Sequence, residues 1–184
     1  MGEVEPFIHE TAIVENGARI GARTRVWHHA HIRADAVVGA GCNIGGSVFV
    51  GEGVVIGDGC KLINGAFLPA GVTLKDDVFV GPGVVFTNDL WPRAANPEWQ
   101  LVTTLVRRGA SIGANATVIC GRTIGRYATV GAGSVVTRSV EDHQLVVGNP
   151  AAHAGWMCEC GRLASRAGAD ERPDDLRCGR CSST

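Results

Sequence analysis

The chain has 184 residues and a formal net charge of −1, and its 26 glycines contrast with an aromatic content of 5%. That length holds one substantial domain and a small appendage, which excludes two large cores. Lys and Arg form no run and no apolar stretch approaches the roughly 20 residues that cross a bilayer, so neither nucleic acid nor membrane is expected as a partner and small molecules are.

The start, Met1-Gly2-Glu3-Val4-Glu5-Pro6, is acidic and has no apolar signal core, which points to the cytoplasm. From Ile8 onward the chain is periodic. Stepping by six gives Val14, Ile20, Val26, Ile32, Val38, Ile44, Val50, Ile56, Leu62, Leu68, Leu74, Val80 and Phe86, fourteen positions without a polar residue. Gly often follows (Gly21, Gly39, Gly45, Gly51, Gly57, Gly81), and a small or β-branched residue stands two before: Ala12, Ala18, Thr24, Ala30, Ala36, Cys42, Val48, Cys60. A helix needs apolar spacing near 3.6, and an ordinary half-buried strand is not punctuated at every sixth residue. Stacked short strands joined by corners, an all-β solenoid, fit both inward positions of each hexad.

After Phe86 the register breaks, and the next clean series is Ile112, Val118, Ile124, Val130 and Val136, a gap of 26. An inserted loop over about 87–107 is expected, carrying two prolines and two of the four tryptophans, and a loop of that length in a compact fold is usually functional. The hexads end after Gly155-Trp156, which divides the chain into a domain over 1–155 and a tail over 156–184. Four of the seven cysteines lie in that tail, as Cys158-x-Cys160 and Cys178-x-x-Cys181. Two close thiolate pairs separated by 17 residues suit a small ribbon around structural zinc, and four ligands leave no open position for catalysis.

The repeated [Leu/Ile/Val]-Gly-x-x-x-x pattern over residues 8 to about 150 resembles the hexapeptide-repeat acyltransferase superfamily. The resemblance implies a left-handed parallel β-helix with three hexads per coil, and a homotrimer with sites between subunits; the general rule for parallel crossovers would have given the right hand. Three strings are more specific: Thr24-Arg25-Val26-Trp27-His28, the run from Asp76-Asp77-Val78-Phe79-Val80-Gly81-Pro82 to Phe86-Thr87-Asn88-Asp89, and Gly109-Ala110-Ser111-Ile112-Gly113-Ala114-Asn115-Ala116-Thr117. They resemble acetyl-CoA-dependent N-acetyltransferases that act on the 3-amino group of UDP- or dTDP-linked amino sugars. Val146-Val147-Gly148-Asn149-Pro150-Ala151 is similar to the segment that closes the β-helix in these enzymes. Gly45-Gly46-Ser47 and Asn64-Gly65 depart from the UDP branch, Phe86-Thr87-Asn88-Asp89 with Pro92-Arg93 looks closer to the dTDP branch, and Trp27-His28 looks closer to the UDP branch. The nucleotide stays open between the two.

An amine on a hydroxyl-rich sugar is less basic than lysine, with a pKa nearer about 8, so part of it is neutral at pH 7 and no strong base is obligatory. Positioning of the two substrates supplies most of the acceleration, and the departing thiolate takes the proton. The resemblance gives Asn88 the role of holding the sugar near the acetyl group; the plain alternative is a turn Asn that satisfies its own backbone. With coils of eighteen residues, His28 shares a column with Gly46 and Asn64, and His29 shares one with Ser47 and Gly65, which leaves room for a ligand. His28 is therefore the second catalytic candidate, and Arg25, His29, Ser47, Asn64 and Arg93 are candidates for the nucleotide sugar, Arg93 as a pyrophosphate donor. Gly113, Ala114, Gly131, Ala132, Arg138, Asn149 and Pro150 are candidates for acetyl-CoA. Val26, Ile44, Leu62 and Val80 form an interior ladder with Cys42 and Cys60 as reduced core thiols, and His31, above Phe49 and Phe67, is read as packing.

Three functions compete with this reading. A zinc carbonic anhydrase of the same fold needs histidines from adjacent coils, yet His28, His29 and His31 share one rung and none follows before His143. A scaffold has no need of the break after Phe86. A sugar O-acetyltransferase, facing a weaker nucleophile, requires a histidine base.

Overall fold

The structure, a computed structural model, describes residues 4–182. Met1 to Glu3 of the acidic start lie outside the described residues, as do 183 and 184 of the tail. Among the described residues there are 23 strands and no helix, and most strands are two residues long.

The hexad explains these lengths. The sixth-position residue points inward and the residue before it points out, as in the strands Arg25–Val26 and Asn43–Ile44. A corner follows whose third residue takes a left-handed conformation, at φ near 57° for His29 and Ser47 and at 65° for Gly53. The Gly that often follows the inward residue has a separate cause: a Cβ on Gly51 would lie 2.4 Å from the Ala70 nitrogen of the next coil. Close coil stacking therefore selects Gly there for space.

Parallel partners are eighteen residues apart, as in Phe7↔Arg25, Arg25↔Asn43 and Asn43↔Lys61, so three strands make one coil. The strands fall into sheets of ten, seven and six. We call these the first, second and third sheets, beginning with Phe7–Ile8, Ile13–Val14 and Arg19–Ile20. Between the sheets the inward residues form one core, with Val26, Ile44, Leu62, Val80, Ile112 and Val130 stacked along the first sheet and all buried. The small second position is also inside: Ala30, Ala36, Val48 and Ala66 are buried, and Cys42 and Cys60 donate to the Gly57 and Lys75 carbonyls.

The break is an insertion into one corner. Phe79↔Ser111 and Val85↔Thr117 are 32 residues apart where other rungs are 18 apart, an addition of 14 residues. The chain leaves after the strand Val85–Phe86 and rejoins at Thr104–Val106, which pairs with Val72–Leu74. The excursion thus covers residues 87–103 and ends a strand earlier than the expected 107. Val106, six before Ile112, is fully buried and is the first inward residue of the resumed series.

The first sheet closes in a different way. After Gln144–Val147, the strands Ala152–Met157 and Leu163–Ser165 add on antiparallel. One continuous strand therefore crosses the sequence boundary at 155/156. Its Trp156 is fully buried and donates to the Gly168 carbonyl at 3.1 Å, with Arg172 over the ring, so the tail packs around an indole carried by the β-helix sheet.

Candidate active site on two edges of the prism

The coils form a prism with three edges. The first edge, between the first and second sheets, carries residues 27–30 and their successors at intervals of one coil. The second, between the second and third sheets, carries the inserted loop.

His28, His29, Ser47, Asn64, Gly113, Ala114, Gly131 and Ala132 all lie on the first edge. Ser47 N donates to the His28 carbonyl at 2.9 Å, Gly46 N donates to Asn64 Oδ1 at 3.2 Å, and Gly133 N donates to the Ala114 carbonyl at 2.8 Å. These bonds order the edge along the axis: His28 and His29 first, then Ser47, Asn64, Ala114 and Ala132. Arg25 is exposed on the neighbouring outer face of the first sheet.

Asn88 and Arg93 belong to the second edge. Asn88 stands at the neck of the loop, where Val102 N donates to its carbonyl at 3.1 Å and Thr87 Oγ1 accepts from Cys120 N at 3.0 Å. Its Nδ2 reaches the Ala70 carbonyl of the coil below at 3.4 Å, so the side chain does not cap its own backbone. Oδ1 has no partner among the described residues and is available to accept an N–H. Arg93 is exposed and its guanidinium bonds the adjacent Pro92 carbonyl at 2.7 Å.

Within one chain, then, Asn88 and His28 are not brought together: they sit on different edges and three coils apart, about 14 Å along the axis. The level of Asn88 falls between that of Asn64 and that of Ala114. Along the first edge, substrate candidates lie on one side of this level and cofactor candidates on the other. Arg138 lies on the second edge, in the corner after Val135–Val136, where it and Pro150 line one cavity of about 360 Å³ with Gln144 and His153, beside the exposed Asn149.

The three neighbouring histidines diverge. The His28 ring lies against His9, with centroids 3.9 Å apart, while His29 takes a left-handed backbone and its N–H donates to Thr11 Oγ1. His31 packs edge-on against Phe49, as expected, and also pairs with Glu15 at 2.7 Å. Arg33 first, and then His31, hold the Glu15 carboxyl down to about 2. An aromatic group that sequence reasoning left unassembled lies beside His28: Phe7 meets Trp27 at 5.5 Å, and Trp27 Nε1 donates to Asn43 Oδ1 at 2.8 Å. The signal was present, since Phe7 and His9 stand one coil before Arg25 and Trp27.

In the tail, the sulfurs of Cys158, Cys160, Cys178 and Cys181 lie within 4.8 Å of one another, the one such cluster of metal-ligating groups among the described residues. Thiolates around zinc at about 2.3 Å stand roughly 3.8 Å apart, so the donor set fits. The thiols polarise one another: the Cys181 backbone N–H, then Cys160, lower Cys178 to about 6, while Cys160 and its neighbours push Cys181 up to about 12.

Within this prism of hexapeptide coils, residues 35–70 and 108–138 match the family described as the hexapeptide repeat of succinyl-transferase. A dTDP-3-amino-3,6-dideoxy-α-D-galactopyranose 3-N-acetyltransferase from Aneurinibacillus thermoaerophilus is 46% identical over 154 residues, covering 84% of this chain and 80% of that protein. A mutant GDP-perosamine N-acetyl transferase from Caulobacter crescentus, solved with CoA and GDP-perosamine, is 27% identical with a TM-score of 0.50, covering 83% of this chain. The chain spans 58% of that protein's length. A mutant of the N-acyltransferase AntD from Bacillus cereus, solved with dTDP and coenzyme A, shares the fold at a TM-score of 0.57 and 16% identity, over 81% of this chain and 79% of that one. The chain belongs to the hexapeptide-repeat family of sugar N-acetyltransferases that includes the Aneurinibacillus enzyme.

Proposed function

We propose that the protein transfers the acetyl group of acetyl-CoA to the 3-amino group of a dTDP-linked amino sugar. The observation that carries this reading is 46% identity to an enzyme of that name, and the level of Asn88, between Asn64 and Ala114 of the first edge, supports it. The amine lone pair attacks the thioester carbonyl carbon, the C–S bond breaks, and the CoA thiolate leaves and takes the amine proton, giving the amide and CoA. Asn88 Oδ1 accepts one amine N–H and aims the lone pair. No histidine stands at this level on either edge, which speaks for amine transfer without a base and against the O-acetyl alternative.

The site as read needs two copies of the chain. The second sheet joins the two edges, and its outer face carries Ile13, Phe49, Phe67 and Val85, with Ile13 56% exposed; Trp91 on the loop is 76% exposed. A left-handed prism packed through this face about a threefold axis sets the first edge of one copy against Asn88 of the next. Arg138 and Pro150 then serve the CoA phosphates and His29, Ser47 and Arg93 the nucleotide sugar. The four tail cysteines hold structural zinc, and seven free cysteines suit the reducing cytoplasm. No helix is long and apolar enough to cross a membrane.

Thiol release from acetyl-CoA tests the reaction. With dTDP-3-amino-3,6-dideoxygalactose we expect kcat/KM above about 10⁴ M⁻¹s⁻¹, within the usual enzyme range. Equal, negligible rates with 3-amino and 4-amino sugars on both dTDP and UDP would refute it.

A further inference from the structure

Resting on the orientation just proposed, we infer that the notch above Trp27 and His28 reads the nucleobase of the sugar nucleotide, a pyrimidine dione stacked on imidazole. The reacting nitrogen lies at the level of Asn88, and the nucleotide runs away from the CoA half, toward the start of the chain. Three coils down, about 14 Å away, is roughly the reach of a sugar, a diphosphate and a ribose, and the first edge there changes character. From Gly46 onward it carries Gly, Asn, Pro and Ala at the second corner position; here it carries His28, backed by Trp27 and His9, with Glu10 at the same position one coil before.

The coil next to this ring contributes a glycine. Gly46 separates His28 from Asn64, two coils or about 9.6 Å apart, and supplies no side chain between them. A Cβ on Gly46 would have the His28 carbonyl as its nearest heavy atom at 3.3 Å, and then Asn64 Nδ2 at 3.7 Å. Asn64 is held over the notch because its Oδ1 accepts from Gly46 N at 3.2 Å. Its Nδ2 has no partner among the described residues, so it is a donor aimed at a base carbonyl, and the exposed Ser47 hydroxyl is within the same coil. A ring to stack on, a glycine at the intervening coil and an amide donor are what a planar dione needs. Trp27, anchored by its bond to Asn43, keeps the imidazole in place. His28 acts here through binding, since nothing at its level reacts.

Calorimetric titration of the whole protein with dTDP and with UDP, for the wild type, His28→Ala and Gly46→Val, tests this. Gly46 has no left-handed φ, and thermal melting reports whether each variant keeps its fold. Loss of stacking or filling of the notch is expected to weaken dTDP binding roughly tenfold or more and to raise KM for the sugar nucleotide by the same factor. KM for acetyl-CoA stays unchanged. Folded variants that bind dTDP as the wild type does, or a His28→Ala variant that loses kcat with KM intact, would overturn it, as would a wild type that binds neither nucleoside diphosphate. A protein that binds dTDP in the notch but acetylates no amino sugar would instead sink the proposed reaction and leave the base site standing.

Discussion

Asn88 is held by its own backbone at the loop neck and by Ala70 one coil below, so its amide is aimed before any substrate arrives. Replacing it with Ala removes one positioned hydrogen bond at the reacting nitrogen. We expect kcat/KM to fall about 100-fold with the melting temperature unchanged, as for other preorganised donors and acceptors. A fall below threefold in steady-state assays would remove Asn88 from the chemistry. At this scale the sequence was informative about columns, because eighteen-residue spacing alone aligned His28 with Gly46 and Asn64. The same count sets Asn88 sixty residues after His28, three coils and one hexad on and therefore on the next edge. Counting hexads does not say that Trp27, Phe7 and His9 from two coils gather around one imidazole.

Each strand is set by one inward apolar residue and by a corner that must pass a left-handed residue, so the element is short and repeats. That was legible from the run of apolar sixth positions. The end of the insertion was less so. Val106 continues the later series backward by six with the β-branched Thr104 two before it, but Arg107 stands where Gly often follows and the register with Phe86 is broken, which hid the strand Thr104–Val106. Near the tail, Trp156 breaks the hexad pattern, yet antiparallel pairing with Gln144–Val147 extends the same sheet through it. With a metal on the four sulfurs, the segment from Cys158 to Cys181 is a closed ribbon. Cys178→Ser is expected to reduce bound zinc from one equivalent to a small fraction and to speed proteolysis within that segment by more than about tenfold, because a structural zinc supplies the folding energy of such ribbons. Purified protein without zinc, and a variant with an unaltered cleavage rate, would contradict this.

At the scale of the whole molecule, the residues of the proposed site are divided between two edges of a single prism. The first edge offers small residues, Asn64 and His28; the second offers Asn88; the second sheet between them is faced with Phe49, Phe67 and Val85. Outward positions in a hexad carry no constraint from the core, so the apolar run on this one face reads as periodic noise until the three sheets are separated in space. A row of apolar residues on an outer face is the surface through which the proposed assembly packs. Mixing defective copies measures this most directly. Asn88→Ala damages only the second edge and Ala114→Trp only the first, so each variant alone is expected to have near-background activity. Co-expressed in equal amounts, they form assemblies in which about one site in four combines two undamaged edges when sites lie between copies. Thiol release near a quarter of the wild-type rate is the expected result, whereas a mixture no more active than its two components would contradict a site shared between neighbouring chains.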